Sequence, residues 1–220
     1  MKNIVFFGGS SQIALNLNKI LKKKYTTRLV SRSKNNVKNC INIKNYSKTE
    51  IKKSFKEINK KADCIIIFNG FFSFSSFLNF NQKHFFHSLK VNFLIPLKIA
   101  NVVIKNNFIN KDGSIIFISS IAAKENKIGN FNYSVSKNAL DFAAKIIFKE
   151  LMDRKVRIST INLGIVNNKM SKGIITLLKL KKIKVHAVKI KKIAQNIDFI
   201  IKQKKKYSQI TINHIEKKCL

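Results

Sequence analysis

Residues 6–14 read "FFGGSSQIA", directly after an opening "MKNIV". This stretch decides the fold, because two glycines and two serines join a β-prone apolar run to the start of a helical pattern. Residues 3–7 form the strand, and residues 12–23, "QIALNLNKILKK", carry Ile13, Leu17, Ile20 and Leu21 at helical spacing. Where a strand turns into a helix, unpaired backbone N–H groups favour an anion at the helix N-terminus. Gly8 can take the tight turn without steric penalty, and Ser10 and Ser11 can donate to phosphate oxygens. Ala14 is small enough for close helix–strand packing, whereas Gln12 stands where a glycine usually eases the approach of backbone to a dinucleotide. The turn alone does not separate a phosphate site from a plain loop.

Outward from that turn, strand and helix patterns alternate along the chain. Strands are predicted at 26–31 (TTRLVS), 64–68 (CIIIF), 113–119 (GSIIFIS), 156–162 (VRISTIN) and 207–213 (YSQITIN). Helices are predicted at 47–60, 84–107, 133–152 and 192–204. The continuous apolar runs at 64–68 and 113–119 are the kind buried on both faces of a parallel sheet. The alternation predicts an α/β fold, a doubly wound parallel β-sheet flanked by helices, and 220 residues suit a single domain over 1–220. Residues 168–191 fit the alternation poorly and are expected to form a mobile flap or short helices, with a short substrate lid around 165–191.

Hydrophobic residues make up 45% of the chain, too many for disorder, and no apolar run approaches the ~20 residues of a membrane-spanning helix. "MKNIVFFGG" runs straight into strand pattern without a leader cleavage site, so a cytoplasmic protein is expected. Cys40, Cys64 and Cys219 lack CxxC spacing and are expected to be thiols rather than disulfides or metal ligands. Forty-four Lys and Arg stand against ten Asp and Glu, a formal charge of +34. An acidic partner such as nucleic acid, anionic lipid or a carrier protein would explain that charge. So would drift toward A/T-rich codons, which fits a chain heavy in Lys, Asn, Ile and Phe with one Pro and no Trp. The lysines are spread through every segment, which favours drift, and neither a membrane nor a specific nucleic acid is expected as partner.

The strongest chemical signal is "YSVSK" at 133–137, preceded by "ISS" at 118–120. On a helix, Tyr133 and Lys137 share one face. A free tyrosine titrates near 10, so acid–base work at neutrality needs its pKa lowered by roughly three, about 4 kcal/mol. An ammonium ~4 Å away at an effective dielectric of ~20 supplies about that much. Ser120 precedes Tyr133 by thirteen residues and lies where a strand ends, so its hydroxyl could hold a substrate carbonyl for proton transfer.

In order and spacing, "FFGGSSQIA", "VN" at 91–92, "GSIIFISSIAA" at 113–123 and "YSVSKNAL" at 133–140 resemble the short-chain dehydrogenase/reductase family across essentially the whole chain. The resemblance implies a Rossmann fold, hydride transfer with a nicotinamide cofactor, and an Asn–Ser–Tyr–Lys tetrad at Asn92, Ser120, Tyr133 and Lys137. It makes Tyr133 the proton donor or acceptor and has Ser120 orient the substrate oxygen. Lys137 then holds the nicotinamide ribose and lowers the tyrosine pKa, and Asn92 keeps a water in the relay. The cofactor site it implies runs through Gly8, Ser10, Ser11, Gln12, Ile13, Ser31, Arg32, Asn42, Asn69, Gly70, Tyr133, Lys137, Gly164 and Val166. Departures from the family pattern are Gln12 and Ala14 for two glycines and "IFNG" at the fourth strand's end. Asn42 replaces an adenine-contacting Asp, Leu163-Gly164 a Pro-Gly, and Asn168 a Thr.

Arg32 falls eighteen residues after Ala14, where a carboxylate would bind the ribose 2′-hydroxyl of NAD. A guanidinium there can bind a 2′-phosphate in bidentate fashion, with Ser31 and Ser33 adding hydroxyls, so NADP(H) is expected over NAD(H). His84 and His87 have no Asp, Glu or Cys to complete a metal site. The run "GFFSFSSFLNF" at 70–80 can line an apolar pocket, a subunit contact or plain core.

The reading that follows is an NADP(H)-dependent carbonyl reductase or alcohol dehydrogenase acting on a small carbonyl or alcohol, free or linked to a carrier protein or nucleotide. The alternative is a non-catalytic NADP(H)-sensing regulator on the same scaffold, which would tend to lose the tyrosine or lysine. A homodimer or homotetramer is expected, pairing the helices near 84–107 and 133–152 through Phe93, Leu97, Val102, Phe142 and Ile146.

Overall fold

Every residue of the first strand, β1 (Asn3–Phe7), is buried, the condition of a strand covered by helices on both faces. The computed structural model describes residues 1–33, 39–125, 128–203, 207–213 and 215–218. From β1 the chain passes through α1 (Gln12–Leu21), β2 (Thr26–Ser31), β3 (Cys40–Asn42), α2 (Lys48–Ile58) and β4 (Ala62–Ile67). Next, α3 (Gln82–Leu89), a π-helical turn over Lys90–Leu94 and α4 (Ile95–Lys105) run on as one helical unit into β5 (Ile109–Ser120). A 3₁₀ turn over Ile121–Ala123 leads to α5 (Phe131–Glu150) and β6 (Arg157–Leu163). The chain continues through α6 (Lys172–Leu180), β7 (Ile183–His186), α7 (Ile190–Lys202), β8 (Tyr207–Ile212) and β9 (Ile215–Lys218).

Seven strands pair in parallel in the order β3-β2-β1-β4-β5-β6-β8, the doubly wound sheet of a single-domain Rossmann fold. β7 and β9 form a separate antiparallel ribbon. Side-chain alternation along the central strands divides the core into two layers. Ile4, Phe6, Ile66 and Ile161 pack under α1 and α7, while Val5, Phe7, Ile65 and Phe117 pack under α2, α4 and α5. Helix starts are satisfied locally: the hydroxyl oxygens of Ser11 and Ser47 accept from the N–H groups of Ala14 and Glu50, at 3.1 and 3.2 Å.

The structure departs from the sequence reading in several places. β3 and β9 are additional short strands. The helix expected over 84–107 starts at Gln82 and is interrupted by the π turn. The stretch 168–191 holds one short helix and a strand rather than short helices alone. Gln82–Lys105 is long and apolar enough on average to cross a membrane, but here α4 lays Ile99, Ala100, Val102 and Val103 against the sheet. Val102 therefore belongs to the core, and Phe93 and Leu97 are half-buried against it. Cys64 is a buried thiol of β4, Cys40 is half-buried in β3, and Cys219 lies outside the described residues.

One buried cation ties the far layer together. Arg157, at the start of β6, donates to the carbonyls of Asp112 (3.0 Å), Ile200 (2.8 Å), Ile201 (3.3 Å) and Gln203. The last three belong to the end of α7, whose final carbonyls have no partner within the helix. Replacing Arg157 by Ala should lower unfolding stability by about 2–4 kcal/mol, because those carbonyls stay buried and lose their donor. A denaturant midpoint equal to that of the wild type would contradict this account.

Candidate active site

The opening turn is built by steric exclusion. Gly8 has φ +72°, and a Cβ there would stand 3.0 Å from the backbone N of Asn69 and from the Phe68 carbonyl carbon. A Cβ on Gly9 would meet the Leu29 Cβ at 2.8 Å, a constraint the sequence reading missed. The ends of β1 and β4 thus meet closely where the strand order reverses, the crevice in which doubly wound sheets bind ligands. Ser11 caps α1 through its oxygen and keeps its O–H as a donor. Gln12 reaches across the crevice, and its Oε1 accepts from the Lys169 N–H at 3.1 Å.

The four tetrad positions come from three elements: β5, the π turn and α5. Ser120 ends β5, and its hydroxyl oxygen accepts from the Ala122 N–H at 3.2 Å while hydrogen bonding with the Tyr133 hydroxyl. Lys137 lies one turn after Tyr133 on α5, 3% exposed, with Nζ donating to the Ile118 carbonyl at 2.9 Å. Asn92, fully buried, sits in the π turn, the kind of helix irregularity that often marks functional sites. Its Oδ1 accepts from the Phe71 N–H at 2.7 Å, and its Nδ2 donates to the Phe71 carbonyl and the Ser136 hydroxyl, each at 2.9 Å. Asn92 thereby ties the segment after β4 to α5. A second tie joins Ser75 to the start of α5: the Ser75 N–H donates to Gly129, and the Phe131 N–H donates to Ser75.

The electrostatics differ from the expected lowering of the tyrosine. Burial pushes the Tyr133 hydroxyl above its ordinary pKa, and the Ser120 hydrogen bond only partly offsets this. The Lys137 ammonium is 6.0 Å from the Tyr133 ring centre and engaged by the Ile118 carbonyl. Its own pKa is drawn down to about 8 by burial, with the Asp141 carboxylate opposing. Tyr133 therefore keeps its proton at neutral pH and Lys137 keeps most of its charge.

On the β2 side, Arg32 is exposed and lies over the ring of Tyr46, 5.6 Å from its centre. Tyr46 is 7% exposed, and its oxygen faces the Asn69 side chain and the Gly8 backbone. Nothing in the motifs marks Tyr46. Ser31 is buried and accepts from the Ser33 N–H at 3.1 Å, so it shapes the turn that carries Arg32. Asn42 is exposed at the end of β3.

A cavity of about 630 Å³ links the two ends of the site. Ser10, Ser11, Gln12, Ile13, Gly70, Ser120, Tyr133, Lys137, Gly164 and Val166 line it, whereas Gly8, Ser31, Arg32, Asn42, Asn69 and Asn92 do not. Its other wall is apolar: Phe72, which meets the Tyr133 ring edge-on at 5.1 Å, with Ile121, Met170, Ile174 and Leu178. Asn168 accepts from the Ser171 N–H at 3.1 Å and so closes the turn before α6. The residues suit a dinucleotide: the Asn69 Oδ1 is buried without a hydrogen-bond partner, and Gly70 packs beside Lys137 and Asn92. Among the described residues no group of His, Cys, Asp and Glu could hold a metal, and His87 instead packs its ring against Phe71 at 4.6 Å.

Comparison with known proteins agrees with this geometry. The short chain dehydrogenase profile matches residues 2–177. Carbonyl reductase family member 4 of Xenopus laevis is 26% identical over 125 residues, 56% of this chain and 53% of that protein, so the chain spans about half the length of that relative. The Xenopus tropicalis protein of the same name is 23% identical over 181 residues, 76% of this chain and 77% of that protein. A Burkholderia cenocepacia short chain dehydrogenase in complex with NADP has a TM-score of 0.79 at 15% identity over 96% of both chains. A 4-hydroxyisoleucine dehydrogenase complexed with NADH scores 0.79 at 18% identity over 97% of both. The structural likenesses show the fold, and the profile, matched over most of the length, shows the family: this chain belongs to the short-chain dehydrogenases.

Proposed function

We propose that this oxidoreductase interconverts a carbonyl and an alcohol with NADP(H), with Tyr133 as general acid and base. The observation that carries the reading is the convergence of Ser120, Tyr133 and Lys137 on one cavity that continues to the glycine turn. A bound reduced nicotinamide supplies the hydride. The chain's residues do the rest: Ser120 holds the carbonyl oxygen, and Tyr133, still protonated at neutral pH, gives that oxygen its proton. Lys137 steadies the phenolate left behind through its positive charge. The apolar wall of Phe72, Ile121, Met170, Ile174 and Leu178 suits a substrate with an apolar body, and the +34 charge suits an anionic handle such as a carrier protein or nucleotide.

Ketones, ketoacyl thioesters and keto-sugars assayed for NADPH oxidation should include at least one substrate. On it, Tyr133→Phe should lose about 10²–10⁴-fold in turnover while NADPH binding survives. Near-normal turnover in that variant would refute the role given to Tyr133.

We assign the cofactor preference to Arg32. Relatives of this fold are seen with NADP and with NADH, so the preference rests on the residue at the end of β2. A charge-assisted contact to the 2′-phosphate contributes about 1.5–3 kcal/mol, roughly ten- to a hundredfold in affinity. Calorimetric titration should give tighter NADPH than NADH binding, and Arg32→Asp should erase or reverse the order. Equal affinities in the wild type would defeat the assignment.

We further propose a homo-oligomer through the outer faces of the π turn and α5, where Leu94, Phe142 and Ile146 are 53%, 63% and 43% exposed. Light scattering at micromolar concentration should report a multiple of 25.3 kDa, reduced to one chain by Phe142→Asp with Ile146→Lys. A monomeric wild type would overturn this.

A further inference from the structure

One helical turn beyond Lys137, α5 carries a carboxylate that the reaction above does not use. Asp141 is 5% exposed, in a chain with only ten acidic residues. Isolated charges are costly to bury, so a carboxylate in this position needs partners. It has them on three strands. The Asn162 Nδ2, on β6, donates to its Oδ2; the Gln209 Nε2, on β8, donates to the same oxygen at 3.3 Å; and the Ser119 hydroxyl, on β5, faces it. Asn162 Nδ2 also donates to the backbone carbonyl of Ser120 at 3.2 Å. They stand beside core layers built mainly of Ile, Val, Leu and Phe, where apolar replacements would serve stability as well.

We propose that Asp141 is the positioning residue of this site: it sets its carboxylate one helical turn from the Lys137 amine and, through Asn162, fixes the strand end that carries Ser120. The proposal rests on the catalytic reading of Tyr133 and Lys137. The hydrogen-bond partner of Lys137 is the neutral carbonyl of Ile118, and the neighbouring Asn92 and Gly70 are uncharged. Among the described residues, the titratable groups beside the pair are Tyr133 on α5 and Lys124 after the 3₁₀ turn, with Glu125 lining the same cavity, while β5, β6 and β8 contribute the neutral Ser119, Asn162 and Gln209. The sign follows. Lys137 loses its cation as pH rises through about 8, and removing the negative charge of Asp141 moves that loss to lower pH.

The test reads Lys137 directly. In protein labelled with ¹³C at lysine Cε, the Lys137 resonance is the one absent from Lys137→Arg. It should titrate near 8 in the wild type and about one pH unit lower in Asp141→Asn. NADPH binding followed by fluorescence should be alike in the two proteins on the acid side of that titration. On the alkaline side it should be about tenfold weaker in Asp141→Asn. An unchanged Lys137 titration in a folded Asp141→Asn protein overturns the proposal. Should that variant not fold, the wild type decides: the Asp141 carboxyl carbon, labelled with ¹³C, must shift as Lys137 deprotonates, and a flat response overturns the coupling. Turnover is judged separately, because a wild type that shows the coupling yet reduces no carbonyl refutes the catalytic reading alone.

Discussion

A parallel sheet covered by helices on both faces leaves polar chemistry almost no outlet except the carboxyl ends of its strands. Here most side chains of the central strands are buried and apolar, and the candidate site residues stand where the strands end. Gly8 follows β1, Asn69 and Gly70 follow β4, Ser120 ends β5, and Gly164 follows β6. α5 then crosses these ends and delivers Tyr133 and Lys137 from the side. Ser119 and Asn162 differ from the other polar residues buried on β5 and β6, such as Ser114, Ser159 and Thr160, in being gathered around one carboxylate, that of Asp141.

Burial governs the acid–base character of the site as much as charge does. A lysine beside a tyrosine is readily assumed to lower the phenol's pKa, but attraction falls with distance and desolvation acts on both partners. With Nζ drawn to the Ile118 carbonyl, the tyrosine remains a proton holder and the lysine becomes the group whose charge is marginal. At neutral pH the site thus holds a protonated phenol beside a lysine that keeps most of its charge. Its alkaline limit then belongs to Lys137 rather than to Tyr133.

Much of this was legible in the sequence, for identifiable reasons. The apolar runs at 64–68 and 113–119 have the pattern of doubly covered strands, and the spacing of Ser120, Tyr133 and Lys137 already groups two hydroxyls and an amine that the fold brings to one cavity. What escaped was of two kinds. Short elements such as β3, three residues long, carry too little pattern to register, and a π turn has no sequence mark at all. Long-range partnerships escaped as well: Tyr46 under Arg32, Ser136 with Asn92, and Asn162 and Gln209 on Asp141 are joined only by the folded sheet. Val102 was read as a subunit contact because helical spacing shows an apolar face without showing what covers it.

Gln12 illustrates how a departure from a pattern can be absorbed. A glycine at that position keeps side-chain atoms away from a dinucleotide, whereas a glutamine brings an amide into the same crevice. In this structure the amide oxygen is taken by the Lys169 N–H, 157 residues away, which draws the side chain toward the segment leading into α6. The glycine turn and the wall bearing Met170, Ile174 and Leu178 therefore share a hydrogen bond. An exposed bond of this type contributes about 0.5–1.5 kcal/mol, enough to bias the wall toward the turn and too little to lock it there. The missing glycine thus becomes a link between the two halves of the cavity, and ligand entry has only that modest bias to overcome.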